Sequence, residues 1–175
     1  MDNKLIPLIS QLSHHLELTH SNCTKDLECE EYFGYSCQLA NFTIKYRKAK
    51  ITPKKTGQFV TVWQRNAVGI TTPFTTLDPF DFYIILTEDG DQTGFFIFPR
   101  AILGERGILT TAKREGKRGF RVYPDWELPT SKQALQTQQW QSLYFITCTD
   151  FTPQALEKVS NIMQLYSKSS TIKNP

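Results

Sequence analysis

No stretch of this chain approaches the roughly 18–20 consecutive apolar residues that a membrane-spanning helix needs, so a helical membrane protein is excluded. The compact catalytic signatures are also missing. There is no G-x4-G-K-[ST] phosphate loop, no G-x-S-x-G elbow and no H-E-x-x-H zinc motif. Cysteine is sparse, and the four residues Cys23, Cys29, Cys37 and Cys148 fit no paired C-x2-C zinc spacing. They are expected as buried thiols or inert surface residues, not as a disulfide or a metal site. The three histidines, His14, His15 and His20, sit in an acidic N-terminal region and are expected to face solvent. The N-terminus carries Asp2 and no extended apolar segment, so it does not read as a signal peptide. The expected compartment is the cytoplasm.

What the chain has in quantity is aromatic residues: 12 Phe, 7 Tyr and 3 Trp in 175 positions. That content excludes disorder over most of the length, and a chain of this size buries about 70% of its unfolded surface without needing staples. A single domain over residues 1–168 is expected, with 169–175 as a frayed tail. The net charge of +3 hides an asymmetry. Residues 1–44 carry two lysines and six acids, net −4. Residues 45–121 carry fourteen Lys+Arg and seven acids, net +7, and the remainder is neutral. A basic middle region points to a polyanion or phosphate partner, against the plainer reading of a solubilising surface.

Periodicity outlines the elements. Leu5, Ile9, Leu12 and Leu16 recur at helical spacing over 4–17. The acidic segment 19–40 has no clear period and reads as loop plus a short helix. "NFTIKYR" alternates, with Phe42, Ile44 and Tyr46 on one face and Thr43, Lys45 and Arg47 on a basic face. "TPKKTG" is a turn, "QFVTVWQ" a strand, and "FDFYIIL" a central strand covered on both faces. "FFIF" returns after the "EDGDQTG" hairpin, and "GFRVYP" is a short strand with Arg121 and Tyr123 on one face. Thr130 to Gln133 predicts a capping box opening a helix to about Tyr144. Thr152-Pro153 predicts the start of another, with Leu156, Val159, Met163 and Tyr166 as its buried stripe. The fold class is α+β: a mixed, largely antiparallel central sheet flanked by helices.

Two basic clusters stand out. Arg47, Lys50, Lys54, Lys55 and Arg65 surround the first turn. Lys113, Lys117, Arg118 and Arg121 lie in "AKREGKRGFRVYPDWE" together with Arg114, glycines and the aromatics Phe120 and Tyr123. Cations bind phosphates and aromatic rings stack on bases, so the pair of clusters reads as two walls of one groove. The alternative is two unrelated loop tips. Trp63, Trp126 and Trp140 are expected in the core, and the glutamines of 133–141 as a solvated helix face.

The ordered blocks "AKITPKKTGQFVTVWQR", "PF…D-x-F-Y-I", "FFIFPRAILGERGIL", "GKRGFRVYPDWE" and "QALQTQQWQSLYF" resemble the MepB-like family over residues 42–145. That family is named from a bacterial multidrug-efflux operon. The resemblance implies a fold similar to the restriction-endonuclease-like PD-(D/E)XK proteins. A metal nuclease of that fold needs an Asp at one hairpin strand and a D/E-x-K on the next, with Mg²⁺ on the carboxylates. Asp81 offers the first acid. Phe98 and Arg100 fall where the second acid and the Lys belong, and Phe cannot coordinate Mg²⁺ while Arg stays protonated. The nearby Glu115-Gly116-Lys117 is a literal E-x-K, but in a loop.

The expected function is therefore non-catalytic nucleic-acid binding on a degenerate nuclease-like scaffold. It favours RNA or single-stranded DNA over double-stranded DNA, and it needs no cofactor or metal. Two alternatives stay open: a Mg²⁺-dependent nuclease with migrated acids, using Asp81, Glu115 and Lys117, or a module for a small anionic ligand or regulatory protein. No protein partner is inferable from the residues.

Overall fold

The computed structural model describes residues 5–20, 23–148 and 151–171. In chain order its helices are α1 (Leu5–His15), α2 (Arg100–Glu105), α3 (Lys132–Gln141) and α4 (Pro153–Thr171). Its strands are β1 (Thr24–Lys25), β2 (Tyr35–Leu39), β3 (Phe42–Lys48), β4 (Lys50–Thr52), β5 (Lys55–Thr61), β6 (Trp63–Arg65), β7 (Thr71–Pro73), β8 (Phe82–Asp89), β9 (Gln92–Pro99), β10 (Gly119–Val122) and β11 (Phe145–Thr147). Six strands make the main sheet in the order β1-β2-β3-β8-β9-β11. Its pairs are antiparallel except β3 and β8, where Ile44 lies opposite Phe82 and Lys48 opposite Leu86. A smaller antiparallel sheet, β10-β5-β4, and a β6–β7 ribbon complete the α+β architecture.

β8 and β9 show why their sequences are almost wholly apolar. Successive side chains alternate across a strand. Phe82, Ile84, Leu86, Phe95 and Ile97 enter one core with Leu8, Ile9 and Leu12 of α1 and Val159, Ile162 and Met163 of α4. Tyr83, Ile85, Phe96 and Phe98 enter a second core with Val60, Phe120 and Val122 of the small sheet. Neither face of Phe82–Leu86 or Phe95–Phe98 meets water, which is what a continuous apolar run in a central strand requires. At the start of α4, Thr152 Oγ1 accepts from the Ala155 N–H at 3.2 Å and Pro153 is the first helical residue. The side chain of Tyr166 lies outside the described residues, as do residues 172–175 of the expected tail.

Four local expectations are corrected. Segment 19–40 carries β1, β2 and a 3-10 turn at Leu27–Tyr32. β2 pairs with β3 through five registered residues, so its strand character is tertiary, with only Cys37 and Leu39 buried along it. Cys23 and Cys37 are joined by a disulfide with their Cα atoms 4.4 Å apart, whereas thiols were expected. Their separation of 14 residues carries no spacing signal, because only the fold brings them together. Cys148 is half-buried and takes no part in that disulfide. The N-cap of α3 is Ser131, not Thr130: its Oγ accepts from the Ala134 N–H at 3.2 Å. β11, which closes the sheet edge against β9, has no counterpart in the sequence reading.

Candidate functional site

The first basic cluster divides on its carboxylate partners. Arg47, expected on an open strand face, is 2% exposed. Its Nη1 donates to Asp26 Oδ2 at 2.7 Å, and Lys45 Nζ reaches the same oxygen at 3.1 Å. Ser36 Oγ donates to the other carboxylate oxygen at 2.9 Å. Burial alone would raise the Asp26 carboxyl, but the Arg47 hydrogen bond and the two cations outweigh it and hold the group below the usual carboxylate range. Lys48 pairs with Glu88. Lys50 lies 3.8 Å from Glu31 and 4.4 Å from the centre of the Tyr32 ring. Asp26 of the acidic N-terminal segment thus covers and neutralises Lys45 and Arg47 of β3, while Glu88 of β8 pairs with Lys48 and exposed Glu31 lies near Lys50. Arg47 is consequently a core ion-pair member and not a groove residue.

A different environment surrounds β10, an edge strand of the small sheet. Its outer face and α3 enclose a cleft of about 280 Å³, whose cationic lining is Arg106, Lys117 and Arg121. A second hollow of about 260 Å³ continues it past Arg121 and Tyr123 to Lys55 in the β4–β5 turn. No carboxylate lines either one. The floor is aromatic: Phe120, Tyr123 and Trp140, the last packed 5.4 Å from Phe98 and carrying Arg106 over its ring at 5.1 Å.

Local structure holds this arrangement. Gln141, fully buried, accepts the Tyr123 N–H at 2.8 Å and donates to Arg121 O at 3.0 Å. Its amide thereby substitutes for a neighbouring strand at the β10 edge and ties β10 to α3. Arg121 braces the turn: Nη1 donates to Gly57 O at 2.7 Å and Nη2 to Thr52 Oγ1 at 2.5 Å. Gly57 has φ +79, and a Cβ there would lie 2.6 Å from the Tyr123 ring. Glycine is therefore what lets the turn, Tyr123 and Arg121 meet.

The remaining expected residues fall around this cleft unevenly. Lys54 is exposed beside Lys55 in the turn. Lys113 is exposed in the loop before Lys117. Arg118 pairs with Glu115 at 3.2 Å and donates to Thr71 O at 3.4 Å. Arg65 lies over the Trp63 ring at 5.7 Å and donates to Gly69 O at 2.9 Å, away from the cleft lining. Of the alternative catalytic set, Lys117 lines the cleft, whereas Asp81 and Glu115 do not. Asp81 Oδ2 accepts the Thr43 N–H at 2.8 Å, pinning the start of β8 to β3. Phe98 is fully buried opposite Tyr83, and Arg100 donates to Asp78 O at 2.6 Å. Among the described residues, no group of three or more His, Cys, Asp or Glu side chains could hold a metal ion.

Sequence reasoning missed Arg106, Ala134 and Thr137, and it placed Trp140 in the core alone; Gln141, expected on a solvated helix face, is fully buried because its amide completes the β10 edge. The available signal was the glutamine spacing of α3, where Gln133, Thr137 and Gln141 fall on one helix face. Arg106 follows α2 as an isolated cation and carries no pattern.

Fold and site together define an α+β scaffold bearing a cationic, aromatic-floored cleft at the edge of a secondary sheet. The chain belongs to the MepB-like family, whose model matches residues 26–147. A solved structure described as the crystal structure of MepB is 35% identical, with a TM-score of 0.74 over 86% of this chain and 99% of that one. A bacterial homing endonuclease is a distant structural match, 12% identical with a TM-score of 0.44 over both full chains. No protein with a curated description matches the chain. No described helix is long and apolar enough to cross a membrane.

Proposed function

We propose that this protein binds nucleic acid, with a preference for RNA or single-stranded DNA, and holds it without cutting it. The observation that carries this reading is the cleft beside β10, lined by Arg106, Lys117 and Arg121, extended to Lys55 and free of carboxylates. Such a lining repels cations and attracts phosphates, and its aromatic floor suits unstacked bases. A hollow of about 280 Å³ has room for an unstacked base, which supports a single strand over a duplex. The grip falls to Lys54, Lys55, Arg106, Lys113 and Lys117, while Arg121 and Tyr123 shape the surface between them. Binding without cleavage is supported by Phe98 and Arg100, which stand where the resemblance expects a D/E-x-K and offer no carboxylate to a metal.

Fluorescence anisotropy with labelled RNA, single-stranded DNA and duplex DNA tests this, at about 50 mM and about 200 mM salt, with and without Mg²⁺. The expected result is single-strand binding that weakens steeply with salt and leaves the probe intact in Mg²⁺. Salt-independent binding, or none, would sink the proposal.

A further inference from the structure

Resting on that reading, we infer that the cleft between β10 and α3 takes one unstacked nucleotide of a bound strand, base inward, with its flanking phosphates on the two basic rims. The cations form two groups and not one patch. Arg106 and Lys117 line the larger hollow, and Lys55 lines the smaller one, on the far side of Tyr123. Arg121 borders both; its hydrogen bonds to neutral acceptors of β4 and β5 fix the guanidinium without cancelling its charge, so the Tyr123 ring and one held cation separate the rims. A strand crossing both hollows meets cation, aromatic floor, then cation. That is the order phosphate, base, phosphate.

The dimensions agree with a single base. About 280 Å³ lies just below the roughly 300–1,000 Å³ of small-molecule sites. It has room for a base-sized group, and the walls are already built. Phe120 and Tyr123, at 7% and 9% exposure, are held rigidly and expose little ring; the half-buried Trp140 exposes more of its ring to the lining, at little ordering cost. Gln133 and Thr137, one turn apart on α3, add polar side chains to the same lining. A bare phosphate ligand would use the cations but leave the aromatic floor and the glutamine face without a role.

The test compares the affinity of a single-stranded oligonucleotide with that of a wholly abasic oligomer of the same length and charge, at one salt concentration. The base-bearing strand should bind about 5- to 150-fold more tightly, the range of one base on an aromatic platform. Ala134 lines both hollows and is half-buried on the outer side of α3. Ala134→Trp fills their junction and should collapse that ratio to about twofold or less. Photocrosslinking of wild-type protein to an iodouracil-bearing oligonucleotide gives a readout that needs no variant to fold. The label should fall on Phe120, Tyr123 or Trp140.

Equal affinity for both oligomers, a ratio indifferent to Ala134→Trp, or labelling elsewhere overturns the inference while the phosphate grip survives. Labelling of the cleft by free iodouridine monophosphate, with the oligonucleotide labelling elsewhere, overturns the strand-borne form. Absence of binding by either oligomer removes the underlying function as well.

Discussion

Two regions of this molecule carry similar densities of lysine and arginine, yet they are physically unlike. On β3 and β4, the cations Lys45, Arg47, Lys48 and Lys50 each face a carboxylate. Around β10 and α3, the cleft cations Arg106 and Lys117 share a lining with no acid at all. The first arrangement is internal: charge holds the N-terminal segment onto the sheet. The second faces solvent, with Arg106 and Lys117 both exposed. Cation count does not separate them, whereas the origin of the nearest carboxylate does.

Breaking the first region should give the largest effect on stability. Asp26→Ala leaves Arg47 buried without its carboxylate, which costs about 3–5 kcal/mol. A urea melt reads the change, and nucleic-acid affinity of the folded fraction should be unaffected. Acid sharpens the same point. The folded Asp26 carboxyl titrates below its unfolded value. Its stabilisation is therefore fully present above about pH 4, the unfolded carboxylate range, and is lost as the pH falls through the lower folded value. Asp26→Asn should flatten that part of the acid-unfolding curve relative to wild type.

A smaller loss is expected at the junction of the second region. Gly57→Ala forces a side chain onto a residue at φ +79 and drives its Cβ into the Tyr123 ring. The expected destabilisation is about 1–3 kcal/mol, with weaker single-strand binding because Tyr123 and Arg121 shift together. Lys55→Ala and Lys117→Ala should leave stability within about 0.5 kcal/mol, since both side chains are exposed. Each should instead reduce the logarithmic salt slope by about 0.7, one phosphate contact on a single strand. Smallest of all is Lys50→Ala, which removes an exposed pair worth at most about 1 kcal/mol and should not move the salt slope.

The framework of this fold is legible in the sequence because it rests on periodicity. The run Phe80–Leu86 demands cover on both faces, and α1 and α4 announce their buried stripes. β2 and β11 are not legible, since each is a short segment whose strand state exists only through β3 and β9. The site is half legible. Alternation in "GFRVYP" sets Arg121 and Tyr123 on one face, whereas the meeting of Arg121 with Lys55, its Nη1 donating to Lys55 O at 3.3 Å, is a tertiary event. That Arg47 belongs to the core depends on Asp26, 21 residues away in the chain, and no local pattern reports that encounter. Arg106 and the inner face of α3 enter the cleft through packing against Phe98, again a tertiary event.

The central claim is that the outward cations, and not the covered ones, hold a nucleic-acid strand. The salt dependence of single-stranded RNA binding, measured side by side for wild type, Lys50→Ala and Lys55→Ala/Lys117→Ala, tests it most directly. The predicted result is a wild-type slope for Lys50→Ala and a slope lower by about 1.4 for the double variant. An unchanged slope in the double variant, or an equal loss in Lys50→Ala, would contradict the account.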